Sequence, residues 1–480
     1  MNFSQIKKIL VRNERYSYLE PSSTSERYRT IMRGELMNKT LILVVLLLAA
    51  QMVFAGGIVT NSNQSVQFIR SMSRNASTEI DATYFNPAGL TQLSNGWHIS
   101  LHNQTIFQEK VIDNSFPMLN ESEYVGDVKV PFFPNFYAVY KKSKLAISAS
   151  FGVNGGGGSA DFATGLPAFE IPVSALPSMV PSLFAVSGYK ADIAFNGSSA
   201  YYGFQANAAY EISDMFSVAV GGRYIYAANT YEGGINNIQI NPTFGASFDG
   251  SYISAIDFFN ALGKAEEAAM VADVAVDAKQ TGTGITPIIG LNVKPMQNLN
   301  IAVRYEANTG LELENETTVD GSGLFPDGGK TQSDIPAVLS LGAAYALTPA
   351  LAASFSYSLY FDKDANWGGD EEFVDKNFFE WAAAVEYKLS GAFLLSLGYN
   401  QATTGVTADY QSDISHSLSS KSVAGGAAWI LNNTMALQFG ISYTLYDEFE
   451  KEFSHPLLGT FTETYNRKTM VYAIGLDYHL

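Results

Sequence analysis

The sequence predicts an all-β fold: a transmembrane antiparallel β-barrel of about fourteen strands with an N-terminal plug, or hatch, inside its lumen. Three observations lead to this prediction. From Trp97 onward, segments of about ten residues alternate between apolar and other side chains. Short and long connections between these segments alternate along the chain. Aromatic residues make up 13% of the chain, yet no uncharged apolar run of about 20 residues occurs outside the N-terminal segment, so spanning helices are not expected.

The alternation places the barrel in residues 97–480. An up-and-down barrel needs an even number of strands, because it closes only then. A soluble β-sandwich has no reason to keep short connections at one end and long ones at the other. The candidate strands are 97–107, 131–141, 144–154, 198–211, 214–228, 282–293, 298–309, 333–346, 350–361, 378–388, 392–402, 420–431, 434–447 and 469–480.

The last strand shows the pattern most clearly, since its two faces differ in character along their whole length. One face carries large apolar and aromatic residues that suit lipid, and the other carries small and polar residues that suit a lumen. The lipid-facing residues are Met470, Tyr472, Ile474, Leu476, Tyr478 and Leu480.

The N-terminal region contains a predicted secretory signal peptide, residues 37–55. Lys39 precedes an apolar run, and Val53-Phe54-Ala55 supplies the small residues that a signal peptidase needs, so the mature chain is expected to begin at Gly56. A retained signal anchor is the alternative, but the run is short for a membrane span, which favours the cleaved signal. Residues 1–36 are polar and arginine-containing. They are interpreted as an extension upstream of a true start at Met37, or as a long leader that is removed with the signal.

Residues 56–96 do not alternate and are predicted to form the plug. They end with Tyr84-Phe-Asn-Pro-Ala-Gly-Leu90, in which Asn86-Pro87 favours a turn. The chain resembles the FadL/TodX family of outer-membrane transporters in the order of its segments. An export signal is followed by a short polar segment with Asn86, Pro87 and Ala88, and then by a series of strands. That family carries long-chain fatty acids and other hydrophobic compounds. It is similar in having fourteen strands and an N-terminal plug, so the resemblance covers Gly56 to Leu480.

The resemblance implies a function without enzymatic activity. It implies passive uptake of long-chain fatty acids or other hydrophobic small molecules across the outer membrane of a Gram-negative-type bacterium, by loop capture, plug movement and lateral exit. The implied partners are the hydrophobic ligand, outer-membrane lipid and the barrel assembly machinery, and a monomer is expected. A general or differently selective pore and a surface adhesion barrel are the alternatives.

Two predicted extracellular loops, 154–197 and 227–281, are long enough to be functional. Their apolar residues either pack on one another or form a hydrophobic landing site. In the resembled family, extracellular loops form the first hydrophobic binding site. The aromatic candidates for ligand contact are Phe68 and Phe85 in the plug and Phe248, Phe258 and Phe259 in the second loop.

Two arginines face the lumen by their position in the alternation. Arg223 and Arg304 are candidates for holding a ligand carboxylate, because a guanidinium pairs with a carboxylate through two hydrogen bonds. Pairing with a lumen acid such as Glu306 is the alternative.

The third strand, Lys144–Val153, runs through Gly152 into the glycines of positions 155–158. Glycines weaken a strand and permit bulges, so Gly152, Gly155 and Gly156 are candidates for a lateral exit. The resembled family has an inward kink in its third strand that makes such an opening. The alternative is that the glycines merely begin a flexible loop.

Other kinds of site are disfavoured by the sequence. The net charge of −17 argues against a nucleic-acid partner, and the absence of cysteine excludes disulfides and thiolate metal sites. His98 and His102 share a strand face, but a metal would need further ligands. Residues 362–368 resemble the start of a calcium loop, yet Trp367 and Phe373 stand where that motif needs Gly and Glu. No metal and no cofactor are predicted.

Overall fold

Fourteen antiparallel strands form a closed barrel in the computed structural model, which describes residues 60–180, 184–245, 248–455 and 459–480. The predicted signal peptide, its cleavage before Gly56 and the extension 1–36 lie outside these residues. The barrel strands are β1 (Gly96–Asn114), β2 (Glu123–Lys142), β3 (Leu145–Phe162), β4 (Ala185–Glu211), β5 (Phe216–Phe244), β6 (Val274–Met296), β7 (Leu299–Glu306), β8 (Val338–Ala346), β9 (Leu351–Tyr360), β10 (Phe379–Lys388), β11 (Phe393–Thr403), β12 (Ser420–Ile430), β13 (Met435–Tyr446) and β14 (Gly459–His479).

The barrel closes because its last strand pairs with its first. β14 and β1 are in register from His98 opposite His479 to Asn114 opposite Glu463. Every other barrel strand pairs with its neighbours along the chain. Closure leaves no open sheet edge, which is the condition for a sheet to cross a membrane. The predicted barrel, its strand number and its antiparallel pairing are confirmed.

The wall has its apolar side outward. Val220 and Leu397 are 62% and 63% exposed, while Ser100, Asn135 and Asn292 are buried on the lumen side. A soluble protein buries its apolar face, whereas this distribution suits a barrel surrounded by lipid. Among the residues that the structure describes, no helix is long and apolar enough to cross a membrane.

Several strands extend farther than the sequence predicts, mainly on the side of the long connections. β4 and β5 contain 27 and 29 residues and pair with each other from Ala185 to Glu211. Parts of the predicted loops 154–197 and 227–281 are therefore strand. The extensions carry glycines and polar residues instead of a clean alternation, because this part of the wall lies beyond the lipid and needs no apolar outward face.

The plug consists of two short α-helices, α1 (Val66–Ser71) and α2 (Ala82–Phe85), and a 3-10 helix, Pro87–Gln92. Ser65 starts α1 by accepting a hydrogen bond from the backbone N–H of Phe68 at 2.9 Å. The plug lies in the lumen, as predicted. Its apolar residues pack against small residues of the wall, which leave room for it. The wall residues are Ala209, Ala219, Ala382, Ala424 and Ala473.

One wall glycine allows the plug backbone to approach β11 closely. A Cβ atom added at Gly398 would lie 1.9 Å from the carbonyl oxygen of Ser71, which is closer than any real contact. Gly398→Ala should therefore push α1 from its seat and raise the permeability of the outer membrane to bulky antibiotics by about tenfold, since the barrel would remain while its filling is displaced.

The matched control for this prediction is Gly425→Ala on the next strand, β12. A Cβ there would meet its nearest atom at 3.6 Å, an ordinary contact. Antibiotic sensitivity is measured at equal surface levels of barrel. Equal sensitivity of the two variants would contradict the assigned seat of the plug.

Within the described residues, the long connections carry four further α-helices, α3 (Pro167–Ser174), α4 (Leu176–Met179), α5 (Ala255–Ala261) and α6 (Ala265–Met270), and two 3-10 helices, Asp362–Asp364 and Asp370–Phe373. Their apolar residues pack on one another, which is one of the two alternatives that the sequence leaves open. Phe258 and Phe259 are almost fully buried, and Phe248 packs against the same cluster. The rings of Phe184 and Phe258 meet edge to face at 5.2 Å.

Candidate functional site

A cavity of about 500 Å³ lies in the lumen between the plug and the long connections. Its floor is formed by Phe68, Ile69 and Met72 of the plug, and the connection between β11 and β12 contributes Tyr410 and His416. This volume is in the range of sites that enclose small organic ligands.

Much of the cavity wall is apolar and aromatic. The apolar side chains come from β1, β2, β3, β4 and the start of α3, so they lie on one side of the barrel, whereas β11 to β14 contribute mainly polar side chains. They include Ile106, Val128, Val130, Phe133, Phe162, Leu166 and Phe195. A hydrophobic molecule that leaves water for this cavity gains about 25 cal/mol per Å² of buried apolar surface.

The predicted aromatic contacts are divided between two places. Phe68 lines the cavity, and Phe85 stacks on Phe68 with ring centroids 5.8 Å apart, behind the cavity floor. Phe248, Phe258 and Phe259 lie in the packed cluster of the long connections and do not line the cavity. A role for these three in ligand contact stays a prediction.

Arg223 and Arg304 also lie apart from the large cavity. Arg223 donates to both carboxylate oxygens of Glu306, at 2.7 and 2.9 Å, and Arg304 lies 3.3 Å from the same carboxylate. Both guanidinium groups lie over the ring of Tyr84 in the plug, at 4.6 and 5.0 Å. The structure thus shows the second alternative from the sequence, in which the two arginines pair with Glu306. The same guanidinium groups hold the ring of Tyr84.

Two other cations do line the cavity, and sequence reasoning missed them. Lys110 on β1 and Arg467 on β14 are directly opposite each other in the barrel pairing. His416 joins them from the connection between β11 and β12. Lys110 and Arg467 lie just outside the strands that the alternation predicts, at 97–107 and 469–480. If the same alternation is continued beyond the predicted ends of those two strands, both side chains fall on the lumen face. This is the signal by which the sequence could have identified them.

The polar atoms around Arg467 are only partly satisfied. Its Nη2 donates to the backbone carbonyl of His416 at 3.2 Å, and its guanidinium lies 5.1 Å from the ring of Tyr446. The buried Nε of Arg467 and the buried Nε2 of His416 have no hydrogen-bond partner. Burial lowers the pKa of His416 well below its usual range, and nearby Arg467 and Lys110 lower it further.

The Asn86-Pro87-Ala88 turn lies inside the barrel. Asn86 donates through Nδ2 to the carbonyl of Ser77 at 2.9 Å and to the side chain of Asn292 on β6 at 2.7 Å. Pro87 begins the 3-10 helix, where its missing N–H costs nothing, and Ala88 is completely buried. These contacts link the turn to an earlier part of the plug, at Ser77, and to the wall, at Asn292. The role of the motif in holding the plug stays a prediction.

The body of the plug is fixed by buried ion pairs. Arg74 binds both oxygens of Asp81, at 2.9 and 2.7 Å, and Arg70 pairs with Glu386 on β10. Removing one partner of such a buried pair leaves an unpaired charge, which costs several kcal/mol. The first pair stabilises the plug internally, and the second attaches α1 to the wall.

The wall itself has a break between β2 and β3. Their pairing is regular up to Phe136 opposite Phe151 and resumes only at Val128 opposite Ala160. The glycine candidates lie in this break, and Gly156 and Gly157 have positive φ values of 59° and 104°. Since β3 continues to Phe162, the glycines do not begin a loop; they bend a strand whose pairing to β4 is kept with two register shifts.

The N-terminal end of the plug closes this break from inside. Asn61 donates its backbone N–H to the carbonyl of Asn154 at 2.8 Å and its side-chain amide to the carbonyl of Gly156 at 2.7 Å. Gln64 donates to the carbonyl of Val153 at 2.8 Å. The large cavity reaches the same place, because positions 156–158 and Phe133 line it. We call residues 60–64 the closing segment.

The histidines at the other end of the lumen form a structural network. His98 and His479 approach at 2.7 Å through their Nδ1 atoms, and His102 and Ser100 both contact Asp477. In the connection between β9 and β10, Asp362 accepts the backbone N–H of Phe378 at 3.0 Å and so joins the two ends of that connection. In the described part of the chain, no group of three or more metal-binding side chains is arranged to hold an ion.

Comparison with known proteins gives a likeness of structure only. No protein-family model and no curated protein sequence matches the chain. A FadL homologue of Pseudomonas aeruginosa superposes with a TM-score of 0.61 at 12% identity, over 88% of this chain and 99% of that one. The toluene transporter TodX of P. putida gives 0.56 at 11%, over 84% and 95%. The Ralstonia pickettii toluene transporter TbuX gives 0.50 at 14%, over 84% and 94%. This chain therefore has the fold of the FadL homologue and the toluene transporters.

Proposed function

We propose that the protein is an outer-membrane channel for the passive uptake of hydrophobic small molecules, long-chain fatty acids among them. The observation that carries the proposal is a lumen cavity with one apolar side, which ends at a break in the barrel wall. The shared fold with a FadL homologue and two toluene transporters supports it. Such a channel needs no catalytic group.

The proposed path runs from the long connections into the cavity and then sideways between β2 and β3. A hydrophobic molecule that continued straight down would enter water and lose the free energy gained by burial. A sideways exit delivers it to lipid instead. Unpaired backbone facing lipid is costly, so a barrel with such a break needs something to satisfy it when no ligand passes.

The closing segment is suited to that task, since it already binds the carbonyls of Val153, Asn154 and Gly156. It contains no charged residue, whereas the body of the plug is held through the ion pairs of Arg70 and Arg74 and through the contact of Tyr84 with Arg223. Opening therefore requires movement of the closing segment and leaves the rest of the plug seated. The Asn86 turn helps to keep it seated.

The proposal is tested by uptake into bacteria that lack their own channels for hydrophobic compounds. Cells that make the full-length precursor should accumulate radiolabelled oleate faster than control cells with an empty plasmid, by at least about fivefold, since the channel offers the chain a path that keeps its apolar surface out of water. Uptake of a small sugar should not change, because the plug fills the lumen.

Two outcomes contradict the proposal. Ion conductance proportional to salt concentration, without uptake of oleate or toluene, would favour a general pore. Unchanged uptake of every hydrophobic compound, with normal barrel levels at the surface, would favour an adhesive or structural barrel.

A further inference from the structure

We infer that the outer cover of the lumen cavity is a pH-sensitive lid, which is closed in acid and opens as the pH rises. The cover consists of two segments: residues 163–174, which contain α3, and residues 404–419, which connect β11 to β12. Leu166 and Ile414 of these segments line the cavity. The inference deepens the proposed function and rests on it, because an open cover admits the ligand.

A buried carboxylate joins the two segments of the cover. Asp413 is 6% exposed, and its Oδ2 accepts the backbone N–H of Ala168, in the first turn of α3, at 2.7 Å. Apolar side chains of the same two segments also pack together: Leu166 and Leu418 belong to one cluster, and Ile414 packs against it. A carboxylate thus connects the segments in a place from which water is largely excluded.

A second buried carboxylate supports the cover from the barrel wall. Glu463 on β14 is 4% exposed, and its oxygens accept from Nδ2 of Asn114 at 2.8 Å and from the hydroxyl of Tyr465 at 2.6 Å. The ring of Tyr465 in turn stacks on His416 of the cover, with ring centroids 5.0 Å apart. Glu463 lies close enough to Asp413 for their two charges to repel each other. If both groups were ionised, this repulsion would act between the cover and the wall.

Neither carboxylate has a cation that balances its charge. In the described part of the chain, Asp413 and Glu463 form no ion pair, whereas the lumen acids Asp81, Glu306 and Glu386 each pair with an arginine. A buried carboxylate without a partner is strongly disfavoured in its ionised form and much less so when it is protonated. The closed cover is therefore stable only while this pair of carboxylates holds protons.

The other charged and titratable groups that face the pair do not change this balance. Lys451, on the short strand Phe449–His455, attracts both carboxylates, but its Nζ donates to the backbone carbonyl of Gln411 at 2.6 Å and burial lowers its pKa. The remaining groups are acidic, uncharged or distant. They are Asp409 and His416 on the connection, Glu170 on α3, Tyr124 on β2, Tyr189 on β4, Tyr465 on β14, and Lys110 and Arg467, which lie four residues, or about 13 Å, along β1 and β14 from the level of Glu463.

The direction of the pH effect follows from the protons that the two states bind. Burial raises the pKa of Asp413 to about 6 and the pKa of Glu463 to about 8, and the charge of Asp413 contributes to the second shift. Once the cover opens, water returns both groups toward their ordinary pKa of about 4. The closed cover therefore binds more protons than the open one. Its added stability is complete below about pH 4 and is lost as the pH rises through about 6 and about 8.

The test measures the movement of the cover directly. Since the chain has no cysteine, T164C/A408C places one nitroxide spin label on each segment, at exposed positions. Pulsed electron paramagnetic resonance on the protein in nanodiscs should show a short, narrow distance at about pH 5 and mainly longer distances at about pH 9, because the closed-to-open ratio should fall at least about a hundredfold between them. The same distances at both pH values would overturn the inference, and this comparison requires no change at Asp413 or Glu463.

In the labelled protein, D413N/E463Q should keep the short distance at about pH 9, because an amide oxygen accepts the same hydrogen bonds and the amide does not ionise. The matched control is D447N. Asp447 is an exposed acid at the edge of the cover, where its backbone N–H donates to the carbonyl of Ser419 at 2.8 Å, and the control should respond to pH as the parent does. A full response in folded D413N/E463Q would overturn the inference.

Uptake separates the lid from the channel. Cellular uptake of labelled hexadecane, which is neutral at every pH, should rise with pH in step with the opening of the cover. Uptake that is equal at every pH, with unchanged label distances, would overturn the lid alone. Absence of uptake at every pH would instead contradict the proposed function.

Discussion

The double substitution T60C/G155C should stop hydrophobic uptake when oxidised and allow it again after reduction. Thr60 and Gly155 form an isolated antiparallel bridge between the closing segment and β3. Directly opposite residues in such a bridge have Cα atoms about 4.5–5.5 Å apart, which falls within the range that a disulfide spans. The chain has no other cysteine, so only this pair can form.

The expected effect is large, because the disulfide would hold the closing segment against the carbonyls that it must release. Uptake of labelled oleate should fall to the level of control cells, and a reductant should restore it to at least about half of the wild-type rate, in line with reversible thiol exchange. Cross-linking is verified by mass spectrometry of the outer-membrane fraction.

A second disulfide provides the control. Thr309 and Ile335 form another isolated antiparallel bridge, away from the break and from the large cavity. Oxidised T309C/I335C should transport normally. Normal uptake by fully oxidised T60C/G155C would show that the closing segment does not gate the path, whatever the role of the cavity.

The barrel was predictable because its signal is local. Each strand shows its two faces within about ten residues, as Met470, Tyr472 and Ile474 do against Val471 and Ala473. Lipid on one side and a filled lumen on the other impose that period on every strand. The number of strands then follows by counting, and the turn at Asn86-Pro87 marks the segment that does not fit the pattern.

The proximity of Lys110 and Arg467 was not predictable in the same way, because it depends on the register between two strands. Lys110 and Arg467 lie near opposite ends of the sequence and meet only when β14 closes on β1. Sequence parity places Arg223 and Arg304 in the lumen equally well. Whether an arginine is available to a ligand depends on whether an acid such as Glu306 lies beside it, which is a property of the assembled wall.

The break in the wall was half predictable. Glycines at positions 155–158 indicate a weak point in β3, but the strand's continuation to Phe162 depends on its pairing with β4. The sequence does not show that β2 loses contact over these residues. Nor does it show that Asn61 and Gln64 cover the exposed carbonyls, since short polar side chains of this kind are common in any connection.

The substitution G156A/G157A should reduce uptake by removing the bend itself. Both residues have positive φ, a conformation that costs an L-residue with a Cβ about 1–2 kcal/mol. Space is also lacking: a Cβ at Gly156 would lie 2.4 Å from the carbonyl oxygen of Ser199, and one at Gly157 would lie 2.4 Å from the ring of Phe133. The strand can relieve both conflicts by straightening.

A straightened β3 would regain pairing with β2 and close the lateral exit. Two residues at this cost disfavour the bend by about 2–4 kcal/mol, so uptake of oleate should fall at least about tenfold. Gly222→Ala on β5 is the control, because its added Cβ would lie 3.7 Å from the nearest atom. Surface abundance and heat-modifiable migration should match the wild type in both variants. Full uptake by a folded G156A/G157A barrel would eliminate the lateral exit and favour passage straight down the lumen.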